Sequence, residues 1–266
     1  MKVLISADIE GCCGVTSWSE VTLGHADYAP FQAQMTAEVV AACEGAIAAG
    51  AEELLVRDAH GSGRNLHGGD LPRPAKLLRA WSGHPFCMVA GLDESFDAAL
   101  FVGYHARANG VGNPLAHTFS SSNLAEVRVN DQPVSEYLLH AWAAKSVGVP
   151  VVFLSGDRAI CDEVRDHDPD CVTVATKDGR GATTINRHPE EVLEDIRNGV
   201  EWALGSERGG RGPELPERFI LEIRYKEATL AYRRSFFPGA ELLDATRVGF
   251  ETPDCFEMLR AAQFLF

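Results

Sequence analysis

The chain has 266 residues, of which 45% are hydrophobic and 23% charged, and its formal net charge is −14. This length and composition predict a globular protein with a sizeable core, and the acidic balance disfavours nucleic acid and anionic membranes as partners. No apolar run approaches the roughly 20 residues of a membrane span, no signal peptide is expected, and the seven cysteines without a C-x-x-C pair favour free thiols in a reducing cytoplasm.

Apolar runs and helical spacing predict an alternation of strands and helices along most of the chain. The predicted strands cover residues 3–5, 54–56, 86–90, 99–102, 125–129, 149–154, 172–174, 219–225 and 246–250. The predicted helices cover 31–49, 135–147, a short segment after 157, 189–204, a stretch after 225 and the end of the chain from 253, while 12–30 and 61–74 are expected to be loops.

The alternation of strands and helices through residue 205 predicts an α/β fold with a mostly parallel sheet flanked by helices. Residues 207–218 are rich in glycine, proline and charge and are the one segment typical of a linker. The sequence therefore predicts an α/β metal-binding catalytic domain over 1–206 and a smaller α+β C-terminal subdomain over 219–266.

Two carboxylates follow the first predicted strand. Val3, Leu4 and Ile5 form an unbroken apolar run, which is typical of a strand buried on both faces. Residues two apart in a strand share a face, so Asp8 and Glu10 are expected to project together. Paired carboxylates repel each other unless a cation lies between them or one is protonated. A metal site and two acids that simply cap a strand in water are both compatible with this segment.

Further ligand-type residues stand after later elements. His60 and His105 each follow an apolar strand, and Glu136 opens a helix. Taken singly, each histidine is also compatible with a strand cap or a hydrogen-bonded core residue, and the glutamate with a first-turn acid that complements the helix dipole. Together with Asp8 and Glu10, however, they form a set that suits two zinc ions with one bridging carboxylate, because strand ends of a parallel sheet lie along one edge.

Four motifs in the same order carry a specific resemblance. They are Ser6-Ala7-Asp8-Ile9-Glu10-Gly11, Asp58-Ala59-His60-Gly61, Gly103-Tyr104-His105-Ala106-Arg107 and Val129-Asn130-Asp131-Gln132-Pro133-Val134-Ser135-Glu136. The chain resembles the D-aminopeptidase family, the dipeptide-operon zinc peptidases, through about residue 157 and weakly beyond it.

The resemblance implies that Asp8, Glu10, His60, His105 and Glu136 bind two zinc ions per subunit, with Asp8 as the bridging ligand. It implies that His117 is a catalytic residue, acting as nucleophile or proton carrier. It also implies a ring-shaped homo-oligomer, a homodecamer of two pentamers.

The sequence departs from the family pattern at two places. Cys12 and Cys13 follow the first motif, and Ser135 replaces a glycine before Glu136. Adjacent side chains of an extended segment point apart, so we predict that the two cysteines are not zinc ligands and instead make the enzyme sensitive to oxidation. We expect Ser135 to change how closely a substrate packs near Glu136.

The predicted function is that of a di-zinc aminopeptidase, a zinc metallopeptidase that hydrolyses short peptides or amides with an N-terminal D-amino acid. The preference for D-residues is implied by the resemblance alone. The alternatives are another metal-dependent amide hydrolase acting on L-peptides or lactam-like substrates, a two-metal phosphoesterase, and a non-catalytic metal-binding module. The phosphoesterase is disfavoured because no glycine-rich phosphate cradle or basic cluster lies beside the proposed ligands.

Overall fold

A computed structural model describes residues 1–206 and 212–266. Its strands are β1 Lys2–Ala7, β2 Glu53–Asp58, β3 Ala75–Leu78, β4 Ala98–Tyr104, β5 Leu124–Val129, β6 Gln132–Pro133, β7 Val151–Asp157, β8 Val172–Arg180, β9 Thr183–Asn186, β10 Phe219–Tyr225, β11 Ala240–Leu242 and β12 Arg247–Thr252. Its helices are α1 Trp18–Val21, α2 Tyr28–Ala48, α3 Glu136–Ser146, α4 Arg158–His167, α5 Pro189–Gly205, α6 Ala228–Arg234 and α7 Cys255–Leu265, with a short 3-10 helix at Cys87–Val89.

The larger sheet has seven strands in the order β3-β2-β1-β4-β7-β8-β9. Its neighbouring strands are parallel except for the terminal β8–β9 pair. The chain winds from β1 through β2 to β3 on one side and then crosses to β4 on the other side of β1. The strand order therefore reverses between β1 and β4, and the carboxyl ends of strands at such a switch point form the usual ligand crevice of an open α/β sheet.

Apolar side chains on both faces of this sheet form two cores. Val3 and Ile5 of β1 pack in a core with α2 and α5, whereas Leu4 belongs to a core with α3, α7 and the second sheet. The unbroken apolar run of β1 is explained by this two-sided burial, because all three side chains are inaccessible to solvent.

The second sheet is antiparallel, with five strands in the order β11-β12-β10-β5-β6. Its strand β10 pairs with β12 on one side and with β5 on the other, so the middle of the chain and its C-terminal portion share one sheet. The β5–β6 turn at Asn130 and Asp131 has φ values of 52° and 64°, which these two residue types tolerate best among non-glycine residues. This hairpin leads directly into α3.

Several short elements differ from the sequence-based expectations. The segment predicted as a strand at 86–90 contains the 3-10 helix Cys87–Val89, and the predicted loop 12–30 contains α1. Strands β3, β9 and β11 were not predicted, because they are short, lie at sheet edges and lack a buried apolar run. Of the predicted linker, residues 207–211 lie outside the described residues.

No helix within residues 1–206 or 212–266 is long and apolar enough to cross a membrane.

Candidate metal centre

The first motif lies where β1 ends against β4. The Asp8 amide donates to the carbonyl of Val102 and the Gly11 amide to that of Gly103, each at 2.8 Å. A Cβ atom on Gly11 would lie 1.7 Å from the carbonyl oxygen of Tyr104, so only glycine permits this approach of the two backbones. The glycine of the motif therefore holds the Asp8–Glu10 segment against the end of β4, which leads into His105.

Asp8, Glu10 and His60 form the first of two groups of ligand-type side chains, all of them buried. His60 Nδ1 lies 3.3 Å from Asp8 Oδ1 and 2.9 Å from Glu10 Oε2. The other ring nitrogen, Nε2, donates to the carbonyl of Val21 at 2.7 Å. Because a carbonyl oxygen only accepts, this bond places the proton on Nε2 and leaves the Nδ1 lone pair directed at the two carboxylates.

The loop that carries His60 is fixed by Asp58 and Asn65. Asp58 accepts hydrogen bonds from the Asn65 amide at 2.5 Å, the Leu66 amide at 2.8 Å and the Asn65 side chain at 2.8 Å. The same Asn65 side chain donates to the His60 carbonyl at 2.6 Å. Asn65 was not singled out from the sequence, because its role depends on contacts made only in the folded chain.

His105, His117 and Glu136 form the second group. His105 Nε2 lies 3.4 Å from Glu136 Oε2, and His117 Nε2 lies 3.9 Å from Glu136 Oε1. His105 Nδ1 donates to the carbonyl of Ala106 at 2.9 Å, which leaves Nε2 as the lone-pair nitrogen. Glu136 is held in place by the amide of Phe119, which donates to its Oε1 at 2.5 Å.

Asp8 lies between the two groups. Its Oδ1 faces His60 and its Oδ2 lies 3.4 Å from His105 Nε2. One carboxylate therefore presents one oxygen to each group, which is the arrangement that a bridging ligand requires. The structure thus brings together all six predicted site residues, and their assignment as ligands or catalytic groups stays a prediction.

Two buried atoms at this centre lack a hydrogen-bond partner in the described part of the chain: Glu10 Oε2 in the first group and His105 Nε2 in the second. A buried polar atom without a partner costs about 1–3 kcal/mol. Two cations, one at each group, would account for both atoms. The ligand types, carboxylate oxygen and imidazole nitrogen, are those of catalytic zinc sites, so these residues fit the predicted metal.

The electrostatics of these side chains also favour a cation. Burial raises the pKa of Asp8 to about 8, and the charge of Glu10 adds to the effect. Burial disfavours a charged His105, but Glu136 beside it raises the pKa of that imidazole to about 10. The Glu136 carboxyl is buried as well, yet His105 lowers its pKa to about 2. The carboxylates therefore attract positive charge strongly. A proton on His105 Nε2 meets this demand, and a metal ion bound by the lone pair of the same nitrogen would replace that proton.

His117 differs from His105 in its surroundings. Its ring stacks on that of His105 with centroids 4.4 Å apart, and Trp18 contacts it edge-on at 5.4 Å. Its Nδ1 donates to the carbonyl of Leu115 at 2.9 Å, so Nε2 holds the lone pair. His117 lines the cavity beside the two groups, and its side chain is 13% exposed against 1% for His105. His117 is therefore the more accessible of the two imidazoles.

The cavity at this centre has a volume of about 740 Å³, within the range of sites for small ligands. Its wall includes the indole rings of Trp18 and Trp81, the side chain of Arg64 and, from the C-terminal helix α7, Gln263. Trp18 belongs to α1, which lies within the segment 12–30 that is predicted as a loop. The cavity opens at the reversal of strand order described above.

The two departures from the family pattern lie outside this cavity. Cys12 Sγ donates to the carbonyl of Asp8 and Cys13 Sγ to that of Arg187, and neither cysteine belongs to the two groups. Burial raises the pKa of both thiols, that of Cys13 to about 11. Because the thiolate is the form that is oxidised, this argues against the predicted sensitivity to oxidation.

Ser135 is buried and caps helix α3. Its Oγ accepts from the amide of Leu138 at 3.1 Å and donates to Glu163 Oε1 at 2.5 Å. Ser135 is absent from the residues that line the cavity, so its hydroxyl fixes the start of the helix that carries Glu136. The expected effect of Ser135 on substrate packing has no support in this position.

The fold and the paired carboxylate–imidazole groups are those expected of a metal-dependent hydrolase of the α/β class. The sequence matches the D-aminopeptidase family over residues 1–264. It is 32% identical over 271 residues to the D-aminopeptidase of Bacillus subtilis (strain 168), with 98% of this chain and 95% of that protein covered.

A solved structure is similar over the whole length. The Zn-dependent D-aminopeptidase DppA from Bacillus subtilis, described as a self-compartmentalizing protease, superimposes with a TM-score of 0.92 at 29% identity, covering 100% of this chain and 96% of that one. The chain belongs to the D-aminopeptidase family. The predictions of the family, of the fold class and of a zinc metallopeptidase are thereby confirmed.

Proposed function

We propose that this chain binds two zinc ions and removes a D-amino acid from the N-terminus of short peptides. Asp8, Glu10 and His60 hold one ion, His105 and Glu136 hold the other, and Asp8 is shared. The observation that carries the proposal is the position of Asp8, which presents one oxygen to each group of ligand atoms. The names of the similar proteins supply the zinc dependence and the D-residue.

Zinc bound at this centre supplies a Lewis acid that polarises the scissile carbonyl and lowers the pKa of a water molecule towards about 7. The chain itself supplies the proton carrier. His117 Nε2 holds a lone pair, lines the cavity and lies 3.9 Å from Glu136 Oε1, so it can take a proton during attack and return it to the leaving amine. Direct attack by the same nitrogen is the alternative.

The surrounding residues orient these groups. The carbonyls of Val21 and Ala106 accept the ring N–H of His60 and of His105, respectively, which fixes the orientation of both rings. The stacked ring of His105 and the edge of Trp18 restrict the rotation of His117. A carrier held in this way keeps its Nε2 directed towards the cavity.

The proposal is tested by elemental analysis and by a matched substrate panel. Protein never exposed to chelator should contain about two zinc ions per chain. The same protein should hydrolyse D-alanine p-nitroanilide and D-alanyl-D-alanine but be far slower on the L-enantiomers. Well under one zinc per chain would contradict the proposed centre, and equal rates on both enantiomers would favour the alternative of an L-peptide hydrolase.

We further propose that the chain forms a closed ring assembly in the cytoplasm, the decamer of two pentamers that the family resemblance implies. The similar structure is described as self-compartmentalizing. This chain exposes large apolar side chains, among them Phe236 at 70% and Trp202 at 57%, which an interface would cover. Light scattering should give a mass of about ten chains, and a stable monomer at working concentration would contradict the assembly.

A further inference from the structure

The cavity at the metal centre has an uneven charge distribution. Its acidic lining residues, Asp8, Glu10 and Glu136, all belong to the proposed metal ligands. Arg64 is the one arginine or lysine that lines it within the described residues. Once the carboxylates bind zinc, they are not free to neutralise this arginine, so a positive charge faces the space where a substrate would lie.

The Arg64 side chain is not engaged elsewhere. It is exposed, and it forms no ion pair or hydrogen bond with the residues that the structure describes. Arg187, by contrast, has a carboxylate partner in Asp195. An unpaired guanidinium at a cavity wall is a suitable donor for a carboxylate, which it binds through two parallel hydrogen bonds.

The backbone around Arg64 is rigidly tied to the proposed ligand His60. The Gly63 amide donates to the His60 carbonyl at 2.8 Å, and the Ala80 amide donates to the Gly63 carbonyl at 2.7 Å. On the other side of Arg64, Asn65 donates to the same His60 carbonyl. Arg64 therefore has a fixed starting point relative to the metal centre, as a substrate-positioning residue needs.

Two further groups favour an anion: Arg57, which contacts the cavity residue Trp81, and Ser62, which lines the cavity. Arg57 is 1% exposed, its guanidinium lies 4.2 Å from the ring centroid of the cavity residue Trp81, and its Nε and Nη2 have no partner among the described residues. Ser62, between His60 and Arg64 on the tight turn, has a hydroxyl without a partner in the same part of the chain. That hydroxyl can rotate to donate a hydrogen bond.

We propose that Arg64 binds the free C-terminal carboxylate of the substrate and so selects very short peptides. The inference rests on the proposed function, because it assumes that the scissile bond lies at the metal centre. Consecutive Cα atoms are about 3.8 Å apart, so the carboxylate of a dipeptide or tripeptide stays within a few residues' length of the scissile bond. In longer peptides it lies beyond the reach of one arginine on this turn.

The test compares D-alanyl-D-alanine with D-alanyl-D-alaninamide, which differ only in the terminal carboxylate. Arg64→Met should lower kcat/KM about 10- to 100-fold for the free acid, mainly through KM, and change it less than about twofold for the amide. Arg64→Lys, which keeps the charge, should recover part of the loss. Arg73→Met is the matched control, because Arg73 is exposed and does not line the cavity.

The outcomes separate the two proposals. Equal loss on the acid and the amide, or no loss on either, would overturn the role of Arg64 while leaving the proposed function intact. A zinc-loaded wild-type protein that hydrolyses neither substrate nor D-alanine p-nitroanilide would overturn the proposed function and this inference with it. A wild-type protein that hydrolyses the acid but not the amide would support the carboxylate requirement directly.

Discussion

At the residue scale, the centre depends most on Asp8. Each oxygen of its carboxylate faces a different group of ligand atoms. We predict that Asp8→Ala loses both zinc ions, whereas the matched variant Glu10→Ala loses the ion of its own group and keeps a larger share of the other. Zinc content per chain, measured on variants with wild-type circular dichroism, checks this. An Asp8→Ala protein that retains one full equivalent would show that Asp8 does not bridge.

His117 is the residue whose role is most open to test. It belongs to a group that can hold a metal, and it also lines the cavity with a lone-pair nitrogen. If His117 is the proton carrier, we expect the His117→Ala variant to keep both zinc ions and the fold but to lose roughly 10²–10⁴-fold in kcat. Loss of zinc would make it a ligand instead. His25→Ala is the control, since His25 is exposed and does not line the cavity.

Cys12 and Cys13 are expected to serve packing rather than chemistry. Both are buried, and their sulfur atoms contact backbone carbonyls rather than the ligand groups. The double variant Cys12→Ala/Cys13→Ala should keep its full zinc content and lose about 1–3 kcal/mol of unfolding free energy, because each truncation leaves a small cavity. Denaturant titration and metal analysis measure the two effects. A loss of zinc in a folded double variant would contradict the prediction.

The site residues could be predicted from the sequence, but the residues that hold them in position could not. Asp8, Glu10, His60, His105, His117 and Glu136 stand in motifs that can be read locally, and the structure brings them together. Asn65 and Trp18 could not be found in that way. Their roles arise from contacts with segments far away in sequence, such as the Tyr28 hydroxyl that donates to Asn65 at 2.7 Å.

At the element scale, buried strands were predictable and edge elements were not. β1, β2, β4 and β7 carry apolar runs, because both of their faces are covered. β9, by contrast, is a largely exposed four-residue edge strand whose formation depends on its antiparallel pairing with β8. The hydrophobic pattern of a segment predicts a strand where burial of both faces requires apolar residues. It does not predict a strand that forms only because it pairs with a neighbouring strand.

Helix α3 positions Glu136 and carries a histidine that makes the element sensitive to pH. His140 is buried, its Nδ1 donates to the Glu136 carbonyl at 2.6 Å, and its Nε2 accepts from the Met88 amide at 3.3 Å. Burial lowers the pKa of His140 to about 4, below its usual value near 6.5. The folded state therefore binds fewer protons than the unfolded state between these values, and stability falls as pH falls through this window.

This linkage predicts a loss of about 2 kcal/mol of unfolding free energy between pH 7 and pH 5 from His140 alone. His140→Gln keeps a donor and an acceptor but does not titrate, so its stability should fall less over the same range. Urea unfolding at both pH values gives the change in unfolding free energy of each protein. The contributions of all other titrating groups cancel when the change in the variant is subtracted from that in the wild type. Identical pH dependence of wild type and variant would rule out this role.

At the scale of the whole molecule, the second sheet joins the predicted catalytic domain to the predicted C-terminal subdomain. β5 pairs with β10 along five residues, and the C-terminal helix α7 packs in the same core as α3. The division into a catalytic domain over 1–206 and a subdomain over 219–266 stays a prediction. The shared sheet indicates, however, that the two parts depend on each other for folding.

A truncated protein tests this dependence. In residues 1–206 alone, β5 would lose its partner β10 and keep only its short pairing with β6, and the apolar face of α3 would lose Met258 and Leu259 of α7, both buried in the full chain. Because α3 carries Glu136 at its first turn, its disorder would remove a ligand from the second group. We therefore expect residues 1–206 to aggregate or bind a hydrophobic dye, and to hold less zinc than the full chain. Co-expression with residues 212–266 is the control and should restore both the solubility and the zinc content of the fragment. A soluble, zinc-loaded 1–206 fragment with a single cooperative unfolding transition would show instead that the catalytic part folds alone.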